Sequence, residues 1–164
     1  IQASGAELVF LPIYAAEAAT FLTQAKGKLD NVKFFGCDGL DGLLTKLDKA
    51  ETANGVIMMT PFNADSTKEN VKNFVSKYKA KFGVTPDQFA ADGYDAVYTV
   101  VAAMKQAGVT ADNMDNMNAR LVEAMTKITL DGVTGTTTWT ADGEPSKIAI
   151  AMVYQDGKTV EYTK

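Results

Sequence analysis

The spacing of apolar residues predicts alternating strands and helices over the first third of the chain. Strand-like apolar runs at 7–14, 32–39 and 55–60 are separated by two segments, 17–26 and 40–47, whose apolar residues recur at the offsets of amphipathic helices. The run at 55–60 is almost wholly apolar, which predicts a strand covered on both faces. This alternation is typical of an α/β fold built on a mostly parallel sheet.

Helices dominate the next segment, 66–128, in which no convincing strand pattern is found. Ser66 and Glu69 have the spacing of a capping box, and Thr85 followed by Pro86 is typical of a second helix start. The apolar stripes of these helices need a sheet or other helices to cover them, and the strands nearest in sequence already have helices of their own. We therefore expect this segment to belong to a second lobe whose strands lie upstream.

The C-terminal segment is β-rich. Runs at 133–139 and 148–154 are separated by a turn cluster, and Asp156-Gly157 before a third run at 159–162 is a strong signal for a β-hairpin.

Composition excludes several classes of function. The 164 residues carry a net charge of −4, spread along the chain, which argues against a nucleic-acid partner and against a polybasic membrane-surface segment. With no histidine and one cysteine, the chain lacks the parts of Cys/His zinc sites and Ser-His-Asp triads. We expect the cysteine, Cys37, to be a small buried apolar residue. Because the chain starts at Ile1 without a signal peptide, we expect it to begin inside a larger protein, with any targeting segment upstream.

Two side chains follow predicted strands at the points where helices begin. Tyr14 follows the first strand and Asp38 the second. Ligands of parallel α/β sheets bind outside the carboxyl ends of the strands, so an aromatic ring and a carboxylate are expected to face one crevice. Each residue has a plainer interpretation, Asp38 as an N-cap for the helix near Leu40 and Tyr14 as an exposed helix residue. Glu17 has the first-turn position that the helix dipole favours for an acid.

Other notable side chains have structural interpretations. Asp92, Tyr94 and Asp95 lie in the middle of a predicted helix, where a structural or inter-lobe role is expected. Trp139 lies in a β-rich run and is expected to pack.

A series of short motifs resembles the extracytoplasmic solute-binding proteins of branched-chain amino-acid ABC transporters, which have the type I periplasmic-binding-protein fold. The resemblance covers essentially the whole chain, as the C-terminal half of such a protein. In order, the motifs are Ala6-Glu7-Leu8-Val9-Phe10-Leu11-Pro12, Gln24-Ala25-Lys26-Gly27, Phe35-Gly36-Cys37-Asp38-Gly39, Gly55-Val56, Phe89-Ala90-Ala91-Asp92-Gly93-Tyr94-Asp95-Ala96, Gly132-Val133-Thr134-Gly135 and Asp142-Gly143.

The resemblance implies a three-layer α/β architecture with flanking helices, incomplete because the N-terminal half is absent. Two lobes would close on the ligand: residues 1–61 form part of the second ligand-binding lobe, 62–131 supply helices to the first lobe, and 132–164 form a β-rich return to the second. The resemblance also implies that Tyr14 and Asp38 contact the amino-acid ligand, with the acid accepting hydrogen bonds from the α-ammonium group.

The implied function is to bind a small neutral amino acid, branched-chain by resemblance, outside the cytoplasm and to deliver it to an ABC transporter permease. The protein would be periplasmic or a cell-surface lipoprotein. A sensor or receptor domain of the same fold is the alternative. An α/β enzyme would need a phosphate-binding Gly-rich loop or a nucleophile with its base, and neither pattern is present, so we predict no enzyme activity, no cofactor and no metal site. Self-association through the helices at 66–128 is a further expectation, because their stripes need cover.

Overall fold

The chain forms two compact units in a computed structural model that describes residues 1–163. The first unit joins Ile1–Thr60 to the C-terminal segment from Ala149 onward, and the second is Pro61–Ile148. The sequence placed the β-rich return at 132, whereas the structure places residues 132–148 with the helices. The assignment of these units to ligand-binding lobes stays a prediction.

The elements follow the predicted alternation of strand and helix in the first 60 residues, with one exception. Where a helix was predicted at 40–47, the chain forms two short 3-10 turns, Asp38–Leu40 and Leu43–Lys46. Asp41 between them has an extended backbone with φ −61° and ψ 138°, which interrupts helical hydrogen bonding. The strands and helices are β1 (Leu8–Leu11), α1 (Ala15–Ala25), β2 (Lys33–Gly36), β3 (Ile57–Thr60), α2 (Glu69–Phe82), α3 (Gln88–Gln106), α4 (Met117–Met125), β4 (Leu130–Gly132), β5 (Gly135–Thr137), β6 (Ile150–Gln155) and β7 (Lys158–Glu161).

The first unit contains a five-stranded sheet in the order β1-β2-β3-β6-β7. β1, β2 and β3 are parallel, β6 is antiparallel to β3, and β7 is antiparallel to β6. The turn between β6 and β7 is the predicted hairpin: Asp156 and Gly157 both have positive φ, 51° and 73°, as a two-residue turn with right-handed strand twist requires. The unit is therefore a mixed α/β fold, in which α1 and short 3-10 turns pack against a sheet with two parallel and two antiparallel strand pairs.

One face of this sheet is packed against α1 and the 3-10 turns. Ala18 and Leu22 of α1 meet Met58 of β3 and Tyr154 of β6 in a single buried cluster. The Tyr154 hydroxyl donates a hydrogen bond of 2.5 Å to the carbonyl of Leu40, and burial raises the pKa of Tyr154 well above its usual range. This bond fixes the turn Asp38–Leu40, which directly follows β2, to the core.

The opposite face carries a row of apolar side chains in cross-strand register. Phe10, Phe35, Ile57, Val153 and Val160 are successive partners across the five strands. Phe10 is 51% exposed and Val160 37%, while the three between them are half-buried. The sequence predicted that β3 is covered on both faces. Within residues 1–163, β3 is fully buried only on the face that packs against α1 and the 3-10 turns, and it is half-buried on the face that carries Ile57.

The second unit is built from α2, α3, α4 and the short β4–β5 hairpin. The predicted stripe of α2 is buried at Val71, Phe74 and Val75, which pack with Phe62 and Ala91. A second cluster joins α3 to α4 through a few small and aliphatic side chains, Ala103, Ala124 and Ile128.

Two helix starts differ from the prediction. The prediction that Ser66 and Glu69 form a capping box is wrong. Lys68 has an extended backbone (φ −63°, ψ 135°) and occupies the N-cap position, so α2 begins only at Glu69. Helix α3 is capped by Asp87 and not by Thr85. The Asp87 carboxylate accepts a hydrogen bond from the backbone N–H of Ala90 at 2.9 Å.

A buried carboxylate ties α3 to the hairpin. Asp95 is 6% exposed and accepts three hydrogen bonds, from the N–H of Val133 at 2.9 Å, from the N–H of Thr134 at 2.8 Å and from the Thr134 hydroxyl at 2.6 Å. A Cβ atom on Gly132 would lie 2.3 Å from Oδ2 of Asp95, so only glycine fits there. This mid-helix acid thus holds the turn between β4 and β5.

Candidate functional site

The ends of β1 and β2 lie side by side at one edge of the sheet. The two strands are parallel, and their last residues, Leu11 and Gly36, are register partners. The segments that follow them therefore emerge together, at the edge where ligands bind in open α/β sheets.

Tyr14 occupies the N-cap position of α1. Its backbone is extended (φ −87°, ψ 166°), its side chain makes no capping hydrogen bond, and its carbonyl accepts from the N–H of Ala18 at 2.9 Å. The side chain is 68% exposed. The ring is thus available for contact, since the helix start uses the backbone of Tyr14 and not its hydroxyl.

Asp38 begins the 3-10 turn after β2 and is exposed. One carboxylate oxygen, Oδ1, accepts from the N–H of Gly39 at 3.1 Å. The plainer interpretation of Asp38 as an N-cap does not fit, because Cys37 occupies that position and the turn that follows is only three residues long. Cys37 is half-buried, not fully buried as predicted, because β2 already ends at Gly36 and the thiol lies in the turn beyond the strand.

Gly39 brings these two residues together. A Cβ atom built on Gly39 would lie 2.9 Å from the carbonyl oxygen of Ile13 and 3.3 Å from Cδ1 of the Tyr14 ring. The ring therefore packs against the backbone of the residue next to Asp38. Both predicted residues lie at the same edge, within adjoining turns. Their contact with a ligand stays a prediction.

The other polar side chains singled out in the sequence have structural contacts. Asp92 pairs with Lys147, and the Tyr94 hydroxyl donates to that of Tyr98 at 3.2 Å. This hydrogen bond, with partial burial, raises the pKa of Tyr94 to about 12. Glu17 is exposed in the first turn of α1.

Trp139 is half-buried and packs on the cluster that joins α3 to α4. Sequence reasoning missed the role of Gly39, although the glycine immediately follows Asp38 in a motif that was recognised. Among residues 1–163, no group of three or more His, Cys, Asp or Glu side chains could hold a metal ion. In the same range, no helix is long and apolar enough to cross a membrane.

Comparison with known proteins assigns this fold to a family. Residues 1–158 match the family model described as periplasmic binding protein. The chain belongs to the periplasmic binding proteins. The resemblance found in the sequence and the α/β fold class are both confirmed. The family is one of non-enzymatic solute-binding proteins, and several of the similar structures are named as solute- or substrate-binding proteins of ABC transporters.

Three solved periplasmic binding proteins illustrate the similarity. The solute-binding protein of an ABC transporter from R. palustris, in complex with benzoate, is 20% identical with a TM-score of 0.82, and the match covers 98% of this chain and 43% of that one. The branched-chain amino-acid transporter substrate-binding protein of Streptococcus pneumoniae, in complex with isoleucine, is 29% identical with a TM-score of 0.78. That match covers 93% of this chain and 42% of the pneumococcal one. A leucine-binding protein of Thermotoga maritima is 22% identical with a TM-score of 0.80, covering 96% and 44%.

The chain thus spans less than half the length of the solved structures that it matches. Comparison with curated proteins gave no match.

Proposed function

We propose that this chain is part of an extracytoplasmic solute-binding protein that binds a small neutral amino acid through Tyr14 and Asp38. The observation that carries the proposal is the contact between the Tyr14 ring and Gly39, the residue that follows Asp38, at the edge of the sheet where β1 and β2 end. A ring and a carboxylate in adjoining turns can serve the apolar side chain and the α-ammonium group of one ligand.

The charge of Asp38 favours an amino acid over an aromatic acid. A carboxylate forms a short, charge-assisted hydrogen bond with an ammonium group, whereas it repels the carboxylate of benzoate, which has no cationic group to offer. One carboxylate balances one ammonium, so a neutral zwitterion such as leucine, isoleucine or valine fits better than a dibasic amino acid. The isoleucine complex of the pneumococcal protein supports the same ligand class.

The partner in this proposal is the permease of an ABC transporter. Support comes from the family and from similar structures that belong to such transporters. Members of the family are extracytoplasmic, so the protein would collect its ligand in the periplasm or at the cell surface.

Calorimetry on the full-length protein tests the ligand and the site together. Leucine, isoleucine and valine are titrated into the wild-type protein, with benzoate and glucose as competing classes. Replacing the charged acceptor in Asp38→Asn should weaken amino-acid binding roughly tenfold or more, since a hydrogen bond to a charged group contributes about 1.5–3 kcal/mol.

Asp48→Asn is the matched control, because it removes the same charge from another exposed position of the same unit. It should leave affinity unchanged. Equal affinities for wild type and Asp38→Asn would remove Asp38 from the site. Binding of benzoate or glucose, with no amino acid bound, would refute the proposed ligand class.

A further inference from the structure

Gly39 lies so close to the segment that follows β1 that a side chain at this position would overlap it. The position of its missing Cβ lies 2.9 Å from the Ile13 carbonyl oxygen and 3.3 Å from Cδ1 of Tyr14. Carbon contacts shorter than about 3.5 Å are repulsive. A methyl group there would push the segment that follows β1 away from the segment that follows β2.

Backbone conformation does not explain the glycine. Gly39 is absent from the residues with positive φ, so alanine could adopt its backbone conformation without strain. What excludes a larger residue is the approach of the neighbouring turn. Gly36, at the end of the same strand, has the same property: its Cβ would lie 2.9 Å from the Leu11 carbonyl oxygen and 2.3 Å from Cδ1 of Leu40.

The two sides of this contact differ in their freedom to move. On the side of Gly39, Leu40 is fully buried and its carbonyl is held by the Tyr154 hydroxyl at 2.5 Å. On the other side, the Tyr14 ring is 68% exposed. Ile13 packs against the same core as Leu40, so a methyl group on residue 39 would be accommodated mainly by displacement of the exposed Tyr14 ring.

We propose that Gly39 is a positioning residue that sets the location of the Tyr14 ring relative to the Asp38 carboxylate. Its effect on ligand binding rests on the function proposed above, whereas its effect on the ring does not. An exposed ring held against a fixed backbone is preorganised, so less ordering remains to be done when a ligand binds.

Fluorine NMR of the full-length protein labelled with 3-fluorotyrosine tests the positioning without any ligand. The Tyr14 resonance is assigned with Tyr14→Phe and then followed in Gly39→Ala. We expect it to shift in Gly39→Ala and to stay in place in Gly93→Ala, a control whose added Cβ meets nothing within 4 Å. An unmoved Tyr14 resonance in folded Gly39→Ala would overturn the proposal.

A measurement on the wild-type chain covers the case in which Gly39→Ala does not fold. The contact predicts nuclear Overhauser effects between the α-protons of Gly39 and the ring protons of Tyr14. Their absence in a folded wild-type sample would equally overturn the proposal.

Calorimetry on the full-length protein then tests the consequence for binding. Gly39→Ala should weaken leucine binding roughly tenfold, as expected for a displaced contact group. In a Tyr14→Ala background the same change should cost less than about threefold, because the ring through which it acts is gone. An equal loss in both backgrounds would refute the role of Tyr14. If the wild-type protein binds no amino acid, the proposed function fails, while the NMR result still decides the role of Gly39.

Discussion

Replacing the buried Asp95 with alanine should be among the most destabilising changes on the face of α3 that packs against the β4–β5 hairpin. The change removes the carboxylate that accepts three hydrogen bonds. The N–H groups of Val133 and Thr134 and the Thr134 hydroxyl, which donate these bonds, then lose their acceptor. Val133 and Thr134, which carry these donors, are only 6% and 3% exposed. Water therefore reaches the abandoned donors poorly.

The magnitude follows from the number of groups left unsatisfied. Each buried donor without a partner costs about 1–3 kcal/mol, and the smaller alanine side chain admits some water, which favours the lower end of that range. We expect Asp95→Ala to lower the free energy of unfolding by roughly 3–5 kcal/mol, similar to the cost of removing one partner from a buried charged pair. Asp95→Asn keeps one acceptor oxygen and should lose roughly half as much.

Urea unfolding measures this loss, with two probes on the same samples. Trp139 is the one tryptophan of the sequence, and it lines the same cavity as Asp95 and Thr134, so its fluorescence reports on this unit. Far-ultraviolet circular dichroism reports on the helices. The midpoint of the Asp95→Ala transition should shift to lower urea without a large change in slope.

Asp92→Ala is the matched control, one helical turn earlier on the same helix. Asp92 pairs with Lys147 at the surface, with side chains that are 36% and 32% exposed, and such pairs contribute less than about 1 kcal/mol. The reasoning is refuted if Asp95→Ala costs no more than Asp92→Ala. Gly132→Ala offers an independent check, because its methyl group would overlap the Asp95 carboxylate, and a fully stable Gly132→Ala protein would contradict the contact.

Two further predictions concern the exposed face of α3. The pKa of Tyr94 is raised from 10.0 to about 12, so the unfolded chain loses this proton at a lower pH than the folded chain, and the stability present below pH 10 should fall between pH 10 and 12. Ultraviolet titration should show Tyr94 as a late tyrosine in addition to the buried Tyr154, and Tyr98→Phe should return Tyr94 alone toward the ordinary range. The predicted stripe of α3 is largely exposed, with Phe89 at 48% and Val97 at 62%, so we expect the isolated chain to self-associate through its helices; sedimentation showing a compact monomer at every concentration would contradict this.

The sequence predicts best those elements that depend on local chemistry. The strand runs and the helix at 17–26 were found because their periods are set by neighbouring residues, and Asp156-Gly157 specified its turn because few other dipeptides accept two positive φ angles. The parallel arrangement followed from the alternation, and it was enough to place Tyr14 and Asp38 at one edge.

Elements that depend on distant contacts were not predictable in this way. The segment 40–47 has a helical period, yet Leu40 and Leu43 are drawn fully into the core as separate 3-10 turns, and the bond that holds Leu40 comes from Tyr154, far along the chain. The position of Gly39 directly after Asp38 likewise does not indicate that Gly39 contacts the segment after β1.

The pairing of β3 with β6 makes the order of synthesis matter. On the ribosome, β1, β2 and β3 emerge together, but β6 is delivered only after the whole of Pro61–Ile148 has been made. Until then β3 is an open edge of a three-stranded parallel sheet, a state prone to wrong pairing, while the later unit already has its own core. Translation that stops before Ala149 would leave the nascent sheet in this state permanently. The arrival of β6 and β7 therefore decides when the sheet that carries the candidate site is complete.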